Sequence, residues 1–157
     1  MRITLIVVGK TNFKYVEEGS NIFIERIKRY VPFDMIVVKD QKKGKTLSSD
    51  LLKKLEGDDI LTKLQPSDYV ILMDESGKQP TSVEMASLLE SKMNSGIKRL
   101  VFLIGGAYGF SNDIYNRCNE KISLSKMTFS HQLVRVIFFE QLYRSFTIIK
   151  GEPYHHQ

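Results

Sequence analysis

Apolar residues recur along this chain in two rhythms. Unbroken runs at 3–8 (ITLIVV), 35–39 (MIVVK), 69–73 (YVILM) and 99–104 (RLVFLI) predict strands buried on both faces of a sheet. Between them, apolar residues three or four apart predict helices. Val16, Ile22, Phe23, Ile27 and Tyr30 mark one over 15–30, closed by Pro32. Leu51, Leu52, Leu55 and Ile60 mark a second over 50–63, capped by Ser48 or Ser49, and Thr81 with Glu84 forms a capping box for a third over 82–93. Ser111 and Asp113 open another helix, ISLS at 122–125 reads as a short strand or an extended crossing, and a final helix spans roughly 131–147. This alternation predicts an α/β fold, a mostly parallel sheet with helices on both faces, in a single domain over 1–157.

Composition narrows the class. With 42% hydrophobic and 10% aromatic residues the chain can bury a core, and no run reaches the ~18–20 apolar residues of a membrane span. MRITLIVVGK is too short in its apolar part for a signal peptide, so a cytoplasmic protein is expected. The single cysteine, Cys118, excludes an intrachain disulfide and a multi-cysteine zinc site, and no metal is expected. It reads as an inward-facing helix residue.

The net charge of +5 is unevenly spread. Residues 1–54 carry 12 basic and 6 acidic side chains, residues 55–97 carry 3 and 8, and residues 98–157 carry 8 and 4. The basic ends, with Arg26, Lys28, Arg29 and the run Lys39, Lys42, Lys43, Lys45, suit a phosphate backbone better than a small neutral substrate.

Three segments carry candidate chemistry. LIGGAYGF follows the fourth strand with Gly105, Gly106 and Gly109 in GGxxG spacing, which is neither GxGxxG nor a Walker A loop. It suits a plain tight turn or a close backbone approach to a ligand at the sheet's C-terminal edge. Next, Leu124 to Ser130 links a short extended element to the last helix; Met127 and Phe129 there either wrap an adenine-like ring or fill the core. On that helix His131, Arg135 and Glu140 interrupt an apolar surface wide enough to demand a central position or a second copy of the chain. A buried Arg135 would need an acidic partner or an anionic ligand. Finally, GEPYHHQ holds two of the three histidines, His155 and His156, beside Tyr154.

Together LIGGAYGFS, SLSKMTFSHQLVRVIFFEQLYRSFTII and GEPYHHQ resemble the bacterial large-subunit rRNA pseudouridine N3-methyltransferases of the SPOUT superfamily, over essentially the whole chain. The resemblance implies a SPOUT-type α/β knot with a C-terminal trefoil knot, a homodimer, and S-adenosylmethionine as cofactor. It assigns cofactor binding to Met73, Gly105, Leu124, Ser125, Lys126, Met127, Thr128 and Phe129. The implied substrate is a pseudouridine in helix 69 of 23S rRNA within the 70S ribosome. The chain departs from the family at Ser130, where proline is usual, at Lys150, often asparagine, and at Met73–Asp74, where LD or LE is common. Serine caps a helix as proline presets one.

N3 of the ring carries a proton at neutral pH, so methylation needs an acceptor. His131, His155 and Tyr154 are the candidates, with Arg135 stabilising developing charge. The tail, with Gly151 ending the helix and Pro153 stiffening the turn, becomes active-site wall in this reading. Two other classes fit the residues without the resemblance: a non-catalytic RNA-binding module needing no cofactor cleft, and a small-molecule enzyme working without ribosomes.

Overall fold

The computed structural model describes residues 1–41 and 48–155. Among these, β1 (Arg2–Val8), β2 (Phe33–Val38), β3 (Tyr69–Lys78), β4 (Arg99–Ile104) and β5 (Glu120–Ile122) form one sheet in the order β2-β1-β4-β3-β5. Every pairing is parallel. The helices are α1 (Lys14–Ile27), α2 (Ser49–Lys63), α3 (Ser82–Asn94), α4 (Asn112–Arg117) and α5 (Leu133–Ile149).

Because successive side chains on a strand point to opposite faces, each apolar run divides between two cores. Ile3, Leu5, Val7, Leu100, Phe102, Ile104 and Ile71 join Ile24, Ile27, Met85, Leu89, Phe138, Phe139, Leu142 and Phe146 beneath α1, α3 and α5. Ile6, Val8, Val70, Leu72, Val101 and Leu103 join Ile60 and Ile114 beneath α2 and α4. The unbroken apolar runs are thus explained by a sheet covered on both sides. The crossovers obey one rule. Connections through α1 and α3 step toward the β2 edge on one face, and those through α2 and α4 step toward the β5 edge on the other, so all four share one hand.

α5 packs against both α1 and α3, which accounts for its wide apolar surface. Phe138, Phe139 and Leu142 are fully buried, each worth about 2–3 kcal/mol in transfer alone.

Boundaries shift where local hydrogen bonds decide them. β5 ends at Ile122: Ser123 N–H makes a last bond to β3, on Lys78 C=O, and the Ser123 hydroxyl then donates to Ser125 C=O, turning the chain away. The strand expected at 122–125 therefore sits at 120–122. α5 begins two residues later than expected, with Gln132 as an N-cap that makes no side-chain capping bond; Ser130 Oγ accepts from Leu133 N–H in the turn before it. Ser48 caps α2 and the Thr81–Glu84 box is complete. Cys118 is the C-cap of α4, half-buried against the α2–α4 core.

Candidate active site

All five strands point their C-terminal ends the same way, which collects the β3, β4 and β5 exits at one edge, the usual ligand edge of a parallel sheet. A cleft of about 580 Å³ opens there. Its walls are Met73–Glu75 within β3, Ile104–Phe110 from the last residue of β4 onward, and Ser123–His131 without Lys126 after β5, with Tyr115 and Val134 at the sides. Of the eight residues expected to hold a cofactor, seven line this cleft; Lys126 does not.

The glycine corner serves both alternatives at once. Gly109 N–H donates to Gly106 C=O at 3.2 Å and Gly109 takes φ +80°, so residues 106–109 form a tight turn. The same turn is a wall of the cleft. Opposite it, Met127 N–H donates to Ser125 Oγ, folding the 124–130 loop over itself and leaving the Met127 side chain 75% exposed. Met127 does not fill the core. Leu124, by contrast, packs against it.

Asp74 carries the fixed charge of the cleft. Burial pushes its carboxyl up, but hydrogen bonds from Ser76 and Tyr115, with Lys121 nearby, outweigh burial and hold it below the ordinary carboxylate range. Tyr115 O–H donates to Asp74 Oδ2 at 2.6 Å, and burial together with that bond pushes the phenol up to about 12. Asp74 and Glu75 line the cleft while no lysine or arginine among the described residues does. A negatively biased, partly apolar cleft of this size fits a cofactor bearing a sulfonium. Neither Asp74 nor Tyr115 stood out in the sequence; Asp74's place after the last apolar residue of a buried strand was the available signal.

His131 lines the cleft, in the turn just before α5. Arg135 is not brought to it. The side chain is 1% exposed and donates to Val8 C=O (2.8 Å), Gly9 C=O (3.0 Å), His131 C=O (3.1 Å) and Thr11 Oγ1 (3.0 Å). Neither an acidic partner nor an anion is needed, because four oxygens satisfy it. Burial lowers its pKa. Gln132 reinforces the same joint, donating to Lys10 C=O and accepting from Asn12 N–H.

The tail starts at the far end of α5 and folds back onto the middle of the helix, and neither Tyr154 nor His155 lines the cleft. Gly151, at φ +65°, closes α5 in a Schellman motif, with Glu152 N–H on Thr147 C=O and Gly151 N–H on Ile148 C=O. Beyond it Tyr154 packs edge-on to Tyr143 (4.7 Å between centroids), lies under the Arg144 guanidinium and donates to Glu140 Oε1 at 3.2 Å. Burial, then Glu140, raises the Tyr154 pKa. Arg144 bonds Glu140 through Nε at 3.0 Å and reaches His155 Nδ1 at 3.3 Å. Because a guanidinium only donates, that nitrogen accepts, and neutral His155 carries its proton on Nε2. Glu140 and Arg144, four apart on one helix face, are functional candidates that the sequence reading passed over. His156 lies outside the described residues, as do Lys42, Lys43 and Lys45. Of the remaining basic residues, Arg26 stacks on Tyr143 (5.4 Å) and Lys28 pairs with Glu25.

Among the described residues no helix is long and apolar enough to cross a membrane, and no group of three or more acidic, histidine or cysteine side chains could hold a metal ion.

Comparison with known proteins completes the picture. The family model described as predicted SPOUT methyltransferase matches residues 1–155. Proteins named ribosomal RNA large subunit methyltransferase H from Parabacteroides distasonis, Bacteroides thetaiotaomicron and Flavobacterium psychrophilum are each 52% identical over 157 residues, covering all of this chain and all of theirs. A crystal structure of a probable methyltransferase from Bordetella pertussis shares the fold at a TM-score of 0.56 and 12% identity, over 92% of this chain and 95% of that one. A match over the whole chain, with a cleft at the C-terminal edge of its parallel sheet, leaves one assignment: the chain belongs to the SPOUT methyltransferase family, within its large subunit methyltransferase H group, and is a methyltransferase.

Proposed function

We propose that this enzyme transfers a methyl group from S-adenosylmethionine to N3 of a pseudouridine in helix 69 of 23S rRNA, in the cytoplasm and on assembled 70S ribosomes. The observation that carries the cofactor half is the cleft. Met73, Gly105 and the 124–129 segment come from three separate chain exits and meet around one volume of suitable size and charge. The substrate half follows the names of the relatives and the basic surplus of the first third.

The bound cofactor supplies a methyl group on a positively charged sulfur, ready for in-line displacement. The chain's own residues align and deprotonate. The 124–129 loop and the glycine corner hold the cofactor and exclude water, and Asp74 keeps a compensating negative charge in the wall. His131, the histidine already in the cleft, takes the N3 proton. Arg135 acts through His131 and the β1 exit rather than on the ring.

The enzyme works as a homodimer in this reading. A tail absent from the lining of its own cleft, yet built from Tyr154 and His155 on a rigid Arg144–Glu140 base, is suited to the cleft of a second copy. The partly exposed outward stripe of α5, with Leu133 38% exposed, offers an apolar surface for that pairing. There Tyr154 would stack on the base, worth ~1–3 kcal/mol, and His155 Nε2–H would donate to a ring carbonyl. A trefoil knot is part of the same proposal. It is supported by the path after β5, which passes the 105–110 loop and is then tied by Gln132 and Arg135 to residues 8–12.

The test is transfer of labelled methyl from S-adenosylmethionine to 70S ribosomes from a strain lacking the endogenous activity, with the labelled nucleotide mapped. Label on the helix 69 pseudouridine is expected. Cofactor binding without label would overturn the substrate, and absence of both would overturn the cofactor as well.

A further inference from the structure

α2 turns a stripe toward the sheet that is apolar at Leu52 and Ile60, 1% and 2% exposed. Midway between them, on the same face, stands Glu56, only 6% exposed. A leucine would be cheaper there, since a buried carboxyl is costly without partners. Among the described residues Glu56 has no cationic partner. Its one hydrogen bond comes from the backbone N–H of Gln41, reaching Oε1 at 3.3 Å. Burial raises its pKa.

The other face of the carboxyl meets the cleft wall. A Cβ placed on Gly106 would lie 2.8 Å from Glu56 Oε2, 3.4 Å from Oε1 and 3.3 Å from Val8 Cγ1. The carboxyl thus rests directly against the Gly106 backbone, in space that any other residue at 106 would take. Next to it, Gly57 lets α2 close onto Ser111, whose Oγ would be 2.3 Å from an added Cβ. Glu56 therefore bridges two chain exits on either side of β1. One, after β2, begins the lysine-bearing stretch at residue 39. The other, after β4, is the glycine corner.

We infer that Glu56 is a positioning residue for the cofactor cleft. It clamps the Gln41 amide and props Gly106 from behind, so that the Gly105–Gly106 backbone presents a fixed wall to the ligand. The inference rests on reading that cleft as the S-adenosylmethionine site. What matters is the acceptor and the shape, not the charge.

Calorimetric binding of S-adenosylmethionine and of its demethylated product, with thermal midpoints, separates the possibilities. Glu56→Gln keeps shape and acceptor and should bind both within about two-fold of wild type. Glu56→Leu keeps bulk, loses the acceptor, and should bind both about ten-fold more weakly, the scale of one lost hydrogen bond, with no lower thermal midpoint. Gly106→Ala should weaken binding similarly, and less so when combined with Glu56→Ala, because the truncated side chain vacates the space the new methyl needs. Wild-type-like binding by Glu56→Leu, or additive losses in the double variant, would overturn the inference. Equal losses in Gln and Leu variants would overturn the acceptor role. Failure of the wild type to bind would instead overturn the cofactor reading.

Discussion

Tyr115 donates its phenolic proton to Asp74 at 2.6 Å across the mouth of the cleft, joining the short helix α4 to the exit of β3. Each partner's titration is displaced in the direction that keeps the bond. Asp74 is held ionised below the ordinary carboxylate range, and Tyr115 stays protonated up to about 12.

The pair should therefore stabilise the fold over a bounded pH window. The carboxyl's lowered pKa contributes stability that is present above its unfolded value of ~3.9 and is lost as pH falls through the folded one. The phenol's raised pKa contributes stability that is full below ~10 and is lost as pH rises toward about 12. Tyr115→Phe should cost about 1 kcal/mol at pH 7, since the pair is partly exposed. That deficit should shrink at both pH extremes. Denaturant midpoints of the two proteins at pH 3, 7 and 11 check this, and a pH-independent gap would refute it.

Arg135→Met should behave unlike a surface charge change. It strands the carbonyls of Val8, Gly9 and His131, so a loss of about 3 kcal/mol in unfolding free energy is expected. Arg135→Lys should recover only part of it, because one ammonium cannot reach the same spread of acceptors. If Arg135→Met left stability intact while abolishing methyl transfer, a direct catalytic role would be indicated instead.

His131→Ala should lower kcat by about 10²-fold or more, the usual worth of a positioned base. Cofactor affinity, measured by calorimetry, should change little. An unchanged kcat would move the proton acceptor elsewhere.

Removing residues 152–157 should abolish methylation while leaving the proposed dimer folded, and Gly151→Ala should reproduce part of the effect. At φ +65° an alanine is strained by about 1 kcal/mol, and relief comes most readily by re-aiming the tail. Mixing each variant with a cleft-inactive His131→Ala protein tests the crossing directly. Mixed dimers pair one intact cleft with one intact tail and should regain activity only if the tail serves its partner.

The apolar runs at 3–8, 69–73 and 99–104 and the helical spacing between them were enough to fix a doubly covered parallel sheet, because burial on both faces removes polar residues from a strand whatever its neighbours. Capping was equally legible at Ser48, Thr81 and Ser111, since a cap is a contact within one turn. Of the residues that the resemblance assigned to a cofactor, all but Lys126 line one cleft at the sheet edge. Arg135 and Asp74 were beyond that reach. Arg135 finds its acceptors 126 and 127 residues away, and Asp74 meets Tyr115 at a separation of 41. Spacing along the chain says nothing of such encounters. That Tyr154 folds back onto Glu140, and His155 onto Arg144, likewise appears only in the folded chain. Local periodicity and burial are properties of short windows, and the sequence states them outright. Which oxygen satisfies a buried guanidinium, and which side chains a tail packs on, depend on how distant elements pack, and the tertiary structure alone decides that.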